Sequence, residues 1–253
     1  MLPLPPDEVH VWTASRDAAD EAVGAMRALL TDDERRRADR FAFPHDRRRF
    51  AVGRGLLRAI LGRYLAREPG SLRFVANAHG KPGLDPRLDV DIPIRFNLAH
   101  SGPWVVYAVT LGREIGVDIE RIRPDFGGDA IAGRFFAPGE VAELQALPDE
   151  SRPLAFFHGW TRKEAYIKAK GKGLALPLDQ FEVSLAPGRP AALLATLPDP
   201  AEAARWSLVE VATEPGFVAA VCVEGHGWTL RLGRWPEGDE APAEGPGRLG
   251  VVE

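Results

Sequence analysis

Gly116-Val117-Asp118-Ile119-Glu120 and, further along, Trp160-Thr161-Arg162-Lys163-Glu164-Ala165-Tyr166-Ile167-Lys168-Ala169-Lys170-Gly171-Lys172-Gly173 decide how this chain is read. The first stretch predicts a short β-branched strand, and alternation along a strand sends Asp118 and Glu120 to the same face. The second predicts a helix closed by glycines, on which Trp160, Glu164 and Lys168 share one side at i, i+4, i+8 spacing. Each stretch alone describes ordinary solvated surface. Together they supply three carboxylates and a cation. That set suits a magnesium ion that stays partly hydrated and is completed by the phosphate oxygens of a substrate.

Outward from these stretches, the pattern is mixed α and β. Val9 to Thr13 alternates as a strand and leads into a helix from about Asp17 to Leu30. Thr31 and Glu34 form a capping box that opens an arginine-rich helix, and Phe43-Pro44-His45 is expected to break it. Asp46 to Ala66 carries a broad apolar stripe of helical period. Short strands are expected at Arg73 to Val75, Arg95 to Leu98 and Trp104 to Thr110, the last two joined as a hairpin through His100-Ser101-Gly102-Pro103. Beyond the Asp118 strand come helices over Ile131 to Phe135, Gly139 to Leu147 and Pro153 to Lys170, then strands over Phe181 to Leu185, Trp206 to Val211 and Phe217 to Val223. Pro103 to Val109 and Pro215 to Val221 echo one another as turn-led apolar strands.

Composition bounds the function. The 253 residues are 45% hydrophobic and 27% charged, as in a globular protein with a real core. A net charge of −4 argues against a nucleic-acid binder, whose affinity rests on excess Lys and Arg. Positive charge is nonetheless concentrated at Arg35 to Arg37, Arg40 and Arg47 to Arg49, a pattern suited to one compact polyanion or to solvated helix faces. The single cysteine, Cys222, lies in an apolar run and fits a reducing compartment. No apolar run approaches the length of a membrane span, and no signal-peptide pattern is present, so a cytoplasmic location with no membrane partner is expected.

The Gly-x-Asp-x-Glu strand followed by Trp-x-x-Lys-Glu-x-x-x-Lys running into Gly-Lys-Gly resembles the paired signature of the Sfp-type 4′-phosphopantetheinyl transferases. The resemblance covers roughly Thr31 to Val183. It implies an α+β fold of two similar, pseudo-twofold lobes, each an antiparallel sheet with helices, and an active site in the cleft between them. The expected division is residues 1–112 for the nucleotide-binding lobe, 113–235 for the catalytic lobe, and a disordered tail over 236–253. The implied reaction moves 4′-phosphopantetheine from coenzyme A, as co-substrate, to a serine of an apo acyl or peptidyl carrier protein, releasing adenosine 3′,5′-bisphosphate. A non-catalytic module that binds coenzyme A or carrier proteins is the alternative, although such a relative would be expected to lose Asp118, Glu120, Glu164 or Lys168.

On this resemblance Asp118, Glu120 and Glu164 are the Mg²⁺ ligands, Glu164 being equally open to the role of general base. Asp118, Glu164 and Lys168 are the catalytic set, with Lys168 reaching the phosphates, while the adjacent Lys163 points elsewhere. Coenzyme A is assigned to Gly80-Lys81-Pro82, with Lys81 charging the phosphates, to Ala99-His100-Ser101, with His100 on the 3′-phosphate, and to Arg49 ahead of Arg37, Arg47 and Arg54. Phe126, Phe135 and Phe136 mark a candidate carrier-docking segment, core packing being the competing explanation for the last two. With both halves of the cleft in one chain, a monomer is expected.

Overall fold

A 22-residue helix, α3 (Pro44–Leu65), lies across one face of a five-stranded sheet, and the other face of that sheet is pressed against a second sheet. The computed structural model describes residues 1–88, 93–197, 199–236 and the backbone of 243–244. In chain order the first part contains β1 (Glu8–Ser15), α1 (Asp20–Ala28), α2 (Asp32–Asp39), α3, β2 (Phe74–Ala76), β3 (Pro82–Leu84), β4 (Ile94–Ser101) and β5 (Trp104–Leu111). There follow β6 (Ile115–Arg121), α4 (Asp129–Phe135), α5 (Pro138–Ala146), α6 (Arg152–Lys170), β7 (Phe181–Val183), β8 (Leu193–Thr196), β9 (Trp206–Val211), β10 (Phe217–Glu224), β11 (Thr229–Arg234) and β12 (Ala243–Glu244). The first sheet runs β12-β11-β1-β5-β4 and the second β6-β10-β9.

Four layers result: α3, first sheet, second sheet, α6. The echoed strands explain the arrangement. In β5, Val105, Tyr107 and Val109 face α3 while Val106 and Ala108 face the second sheet. In β10, Ala220 and Cys222 face α6 while Ala219, Val221 and Val223 face the first sheet. A strand covered on both faces reads as a continuous apolar run. Each is an interior strand flanked on both sides, β5 by β1 and β4 and β10 by β6 and β9, which accounts for their likeness and for the burial of Cys222.

Two details differ from the sequence expectation. The expected break between α2 and α3 is present, but α3 starts two residues earlier than expected, with Pro44 in its first turn, where the missing N–H costs nothing. After β10 the chain returns to the first sheet, with β11 parallel to β1 in the register Glu8 with Thr229 through Thr13 with Arg234. Thr229–Arg234 therefore pairs in the sheet of the first lobe, although the expected division places it in the second. Of the expected tail, Ala243 and Glu244 pair with Leu232 and Arg231, and the remainder beyond Pro236 lies outside the described residues.

Candidate active site

The juxtaposition of β6 and α6 rests on one missing side chain. A Cβ at Gly116 would lie 2.1 Å from the Ala165 carbonyl oxygen and 2.2 Å from the Ala169 nitrogen, so only glycine lets the strand backbone touch the helix backbone. That contact sets the register in which Asp118, two residues along β6, faces Lys168. The helix ends one turn later at Gly171, whose φ of +63° forms a left-handed cap with its N–H donating to the Ile167 and Lys168 carbonyls.

Asp118, Glu120, Trp160, Glu164 and Lys168 line one cavity of about 320 Å³, together with His100 and its strand neighbours. The predicted shared face of β6 and the predicted shared side of α6 are thus the two walls of one cleft. Lys168 Nζ donates to Asp118 Oδ1 at 2.6 Å, while Asp118 Oδ2 is buried and has no hydrogen-bond partner among the described residues. Burial pushes the Asp118 carboxyl up to about 7; Lys168 opposes the shift, and the charges of Glu120 and Glu164 add to it. Burial likewise raises Glu164, again opposed by Lys168 and reinforced by Glu120. Among the described residues, no three His, Cys, Asp or Glu side chains stand close enough together to form a ready-made metal site. The cleft instead offers a strand-borne carboxylate pair with Glu164 on the opposite wall. Ser101 joins the acidic side, its hydroxyl donating to Glu120 Oε2 at 3.0 Å. Trp160 is half-buried, stacked on Phe156, and closes one end.

Leu98 and His100 line this cavity and also a second, of about 370 Å³, so the two adjoin along β4. Arginines 16, 37, 49 and 54 line the second cavity, with Asp46 the acid among its walls. Arg49 is held by a two-pronged pair to Asp17, at 2.7 and 2.9 Å, and Arg54 is held by Glu34, which also takes Arg58 Nε at 2.7 Å. Arg37 lies over the Phe50 ring. Arg47 spends its Nε on the Phe41 carbonyl and is not among the lining residues. The His100 imidazole is held below its usual value by loss of hydration and then by the Arg16 charge.

Other assigned residues fall elsewhere. Gly80 turns the chain between β2 and β3, and Pro82 begins β3. Lys81 points away from both cavities: its three N–H groups go to Glu114 Oε2 at 3.2 Å, the Ile115 carbonyl at 3.0 Å and the Ala169 carbonyl at 3.2 Å. An ammonium has three donors, and all are in use. Beside it Asn77, not singled out by any sequence motif, donates to the Gly171 carbonyl at 2.8 Å and accepts from the backbone N–H groups of His79 and Lys81. The β2–β3 turn is thereby tied to the start of β6 and the end of α6. Lys163 is wholly buried, paired with Glu140 at 2.7 Å and donating to the Leu178 and Phe181 carbonyls. Phe126 packs its ring on Phe156 and Phe157, and Phe135 and Phe136 join the same cluster, so these rings face inward.

Comparison with known proteins gives the family. Residues 11–111 match the family model described as 4′-phosphopantetheinyl transferase, N-terminal, and residues 114–222 match the model of the 4′-phosphopantetheinyl transferase superfamily. The 4′-phosphopantetheinyl transferase HetI of Nostoc sp. is 43% identical over 233 residues, covering 90% of this chain and 94% of that protein. Sfp of Bacillus subtilis is 33% identical over 208 residues, with 82% and 88% covered, and psf-1 of Bacillus pumilus is 36% identical over 209 residues, with 81% and 83% covered. The chain belongs to the Sfp-type 4′-phosphopantetheinyl transferase family.

Proposed function

We propose that the protein transfers 4′-phosphopantetheine from coenzyme A to a serine of an apo acyl or peptidyl carrier protein, with Mg²⁺ bound at the β6 carboxylates. The observation that carries this is the adjacency of two cavities of opposite character, one acidic with a single lysine and the other rich in arginine, with Leu98 and His100 in the walls of both. The arginine-rich cavity suits the phosphates of the nucleotide end, and the acidic one suits the pyrophosphate and the reacting centre.

Asp118 and Glu120 fit a magnesium ion. They share a strand face, and Asp118 Oδ2 is a buried carboxylate oxygen still without a donor. When bound, the ion supplies charge neutralisation and Lewis-acid polarisation at the pyrophosphate. Lys168 places a point charge on the same phosphates. Glu164, across the cleft, has its proton affinity raised by burial, which suits a base. The serine hydroxyl of the carrier gives its proton to Glu164 as its oxygen bonds to the phosphorus bearing the pantetheine arm. The bond from that phosphorus to the nucleotide-side bridging oxygen breaks, and adenosine 3′,5′-bisphosphate leaves with the electron pair. Orientation comes from the rigid packing of α6 on β6.

No helix among the described residues is long and apolar enough to cross a membrane. A monomer fits both cleft walls coming from one chain, and a reducing, cytoplasmic compartment fits the single, buried cysteine, Cys222. Incubation of the purified protein with apo carrier protein, Mg²⁺ and coenzyme A is expected to raise the carrier mass by one phosphopantetheine. No mass gain on fatty-acid, polyketide and peptide-synthesis carriers alike would contradict the proposal.

A further inference from the structure

We propose that Arg16 binds a phosphate of the nucleotide end of coenzyme A through its guanidinium, from the junction where the arginine-rich cavity meets the acidic one. The proposal rests on the placement of that nucleotide end argued above. Arg16 follows β1 directly, outside both arginine clusters, and nothing in the local sequence marks it.

Its position is built from three sides. The Arg16 main-chain N–H donates to the Pro103 carbonyl at 2.6 Å, and Nη2 donates to the Gly102 carbonyl at 2.6 Å, so the residue is strapped to the same hairpin that carries His100. Its aliphatic stem lies over Gly53 of α3, where even a methyl group would stand 3.4 Å from Arg16 Cδ. The guanidinium is therefore placed by backbone contacts and not by an acid. The adjacent carboxylate, Asp17, is taken by Arg49 through both oxygens.

Held this way, the group has capacity to spare. Arg16 Nε is buried and has no acceptor among the described residues, and a guanidinium offers five N–H donors. Burial and the neighbouring Arg49 charge disfavour the Arg16 cation, offset only in part by the charges of Asp17 and Asp46, so that its affinity for a proton is lowered on balance. An oxyanion in the cavity would relieve the repulsion and take up the idle donors, and a planar guanidinium matches a phosphate edge. His100, whose imidazole feels the Arg16 charge, lines the same wall and would face the same anion.

The test is calorimetric titration of adenosine 3′,5′-bisphosphate, without metal, into the wild-type protein and Arg16→Gln, Arg16→Lys, Arg49→Gln and His100→Ala, each with its melting temperature. Loss of a charge-assisted pair is worth roughly ten- to hundredfold in affinity. Arg16→Gln is expected to bind that much more weakly, with a shallower dependence of log affinity on log salt, and Arg16→Lys is expected to fall between. A purely structural strap would lower the melting temperature and leave the salt slope untouched. Unchanged affinity in Arg16→Gln, alongside weakened Arg49→Gln and His100→Ala, overturns the role of Arg16 alone. Failure of the wild type to bind, or unchanged affinity in all four variants, overturns the placement of the nucleotide end as well. Should Arg16→Gln lose its folding transition, Arg16→Lys carries the test, and its affinity within twofold of wild type overturns the role.

Discussion

Lys168 Nζ holds one oxygen of Asp118 at 2.6 Å, and the other oxygen of the same carboxylate is buried with no partner among the described residues. A half-satisfied buried carboxylate is costly unless something else occupies the free oxygen. The pair is therefore strained toward a cation, and the strain has a pH signature.

In metal-free protein the folded-state value of Asp118 is pushed up to about 7 from an ordinary 3.8. A carboxyl whose folded value is raised stabilises the fold fully below the unfolded value, and that stability is lost as pH rises through the folded value. Three pK units correspond to at most about 4 kcal/mol. Urea melts in the presence of chelator should show wild type losing stability between about pH 4 and pH 8, while Asp118→Asn, which cannot ionise, gains relative to it. Parallel pH profiles for the two proteins would refute this.

Gly116→Ala tests the contact that sets the β6 and α6 register. Its Cβ would sit 2.1 Å from the Ala165 carbonyl oxygen, against helix backbone and not the end of a flexible side chain. A loss of about 3 kcal/mol or more, at or above the upper end for overpacking, is expected, read by urea denaturation or by failure to accumulate folded protein. A variant within about 1 kcal/mol of wild type would mean that the strand and helix can separate.

Lys81→Met separates a clamp from a phosphate ligand. Removing the ammonium leaves the Ile115 and Ala169 carbonyls and Glu114 without their shared donor. Stability is expected to fall by about 1–3 kcal/mol. Because the clamp secures the end of the helix bearing Glu164 and Lys168, kcat should fall more than KM for coenzyme A rises. A large rise in KM at unchanged stability would instead place the charge of Lys81 on the phosphates.

What could be read from the residues follows from the range of the forces involved. The carboxylates of β6 and the Glu164–Lys168 side of α6 were legible because alternation and helical period are local rules, and the capping box of Thr31 and Glu34 forms as its spacing predicts. The destination of a long cationic side chain is not local. Lys81 and Lys168 both sit in matched motifs, yet one is spent on backbone carbonyls and the other faces the cleft. Arg16 is brought to His100 by pairing of β1 with β5, Ser15 opposite Trp104, across many intervening residues. The return of β11 to β1 is longer range still: Leu230 and Leu232 alternate with Thr229, Arg231 and Gly233 as a strand should, but alternation does not say which strand will be the partner. Phe126 reads as a docking side chain in a turn-rich loop, but its ring has Phe156 and Phe157 to pack against, contacts that only the fold supplies.

The most direct test is the rate of phosphopantetheine transfer to an apo carrier as Mg²⁺ is returned to chelator-stripped protein, run for wild type, Asp118→Asn and Glu164→Gln. Wild-type transfer should rise from background to saturation with Mg²⁺, and both variants, still folded, should remain at least about a hundredfold slower at every concentration. Full transfer by stripped wild-type protein in chelator, or wild-type rates from Asp118→Asn, would contradict a metal-assisted reaction at the β6 carboxylates.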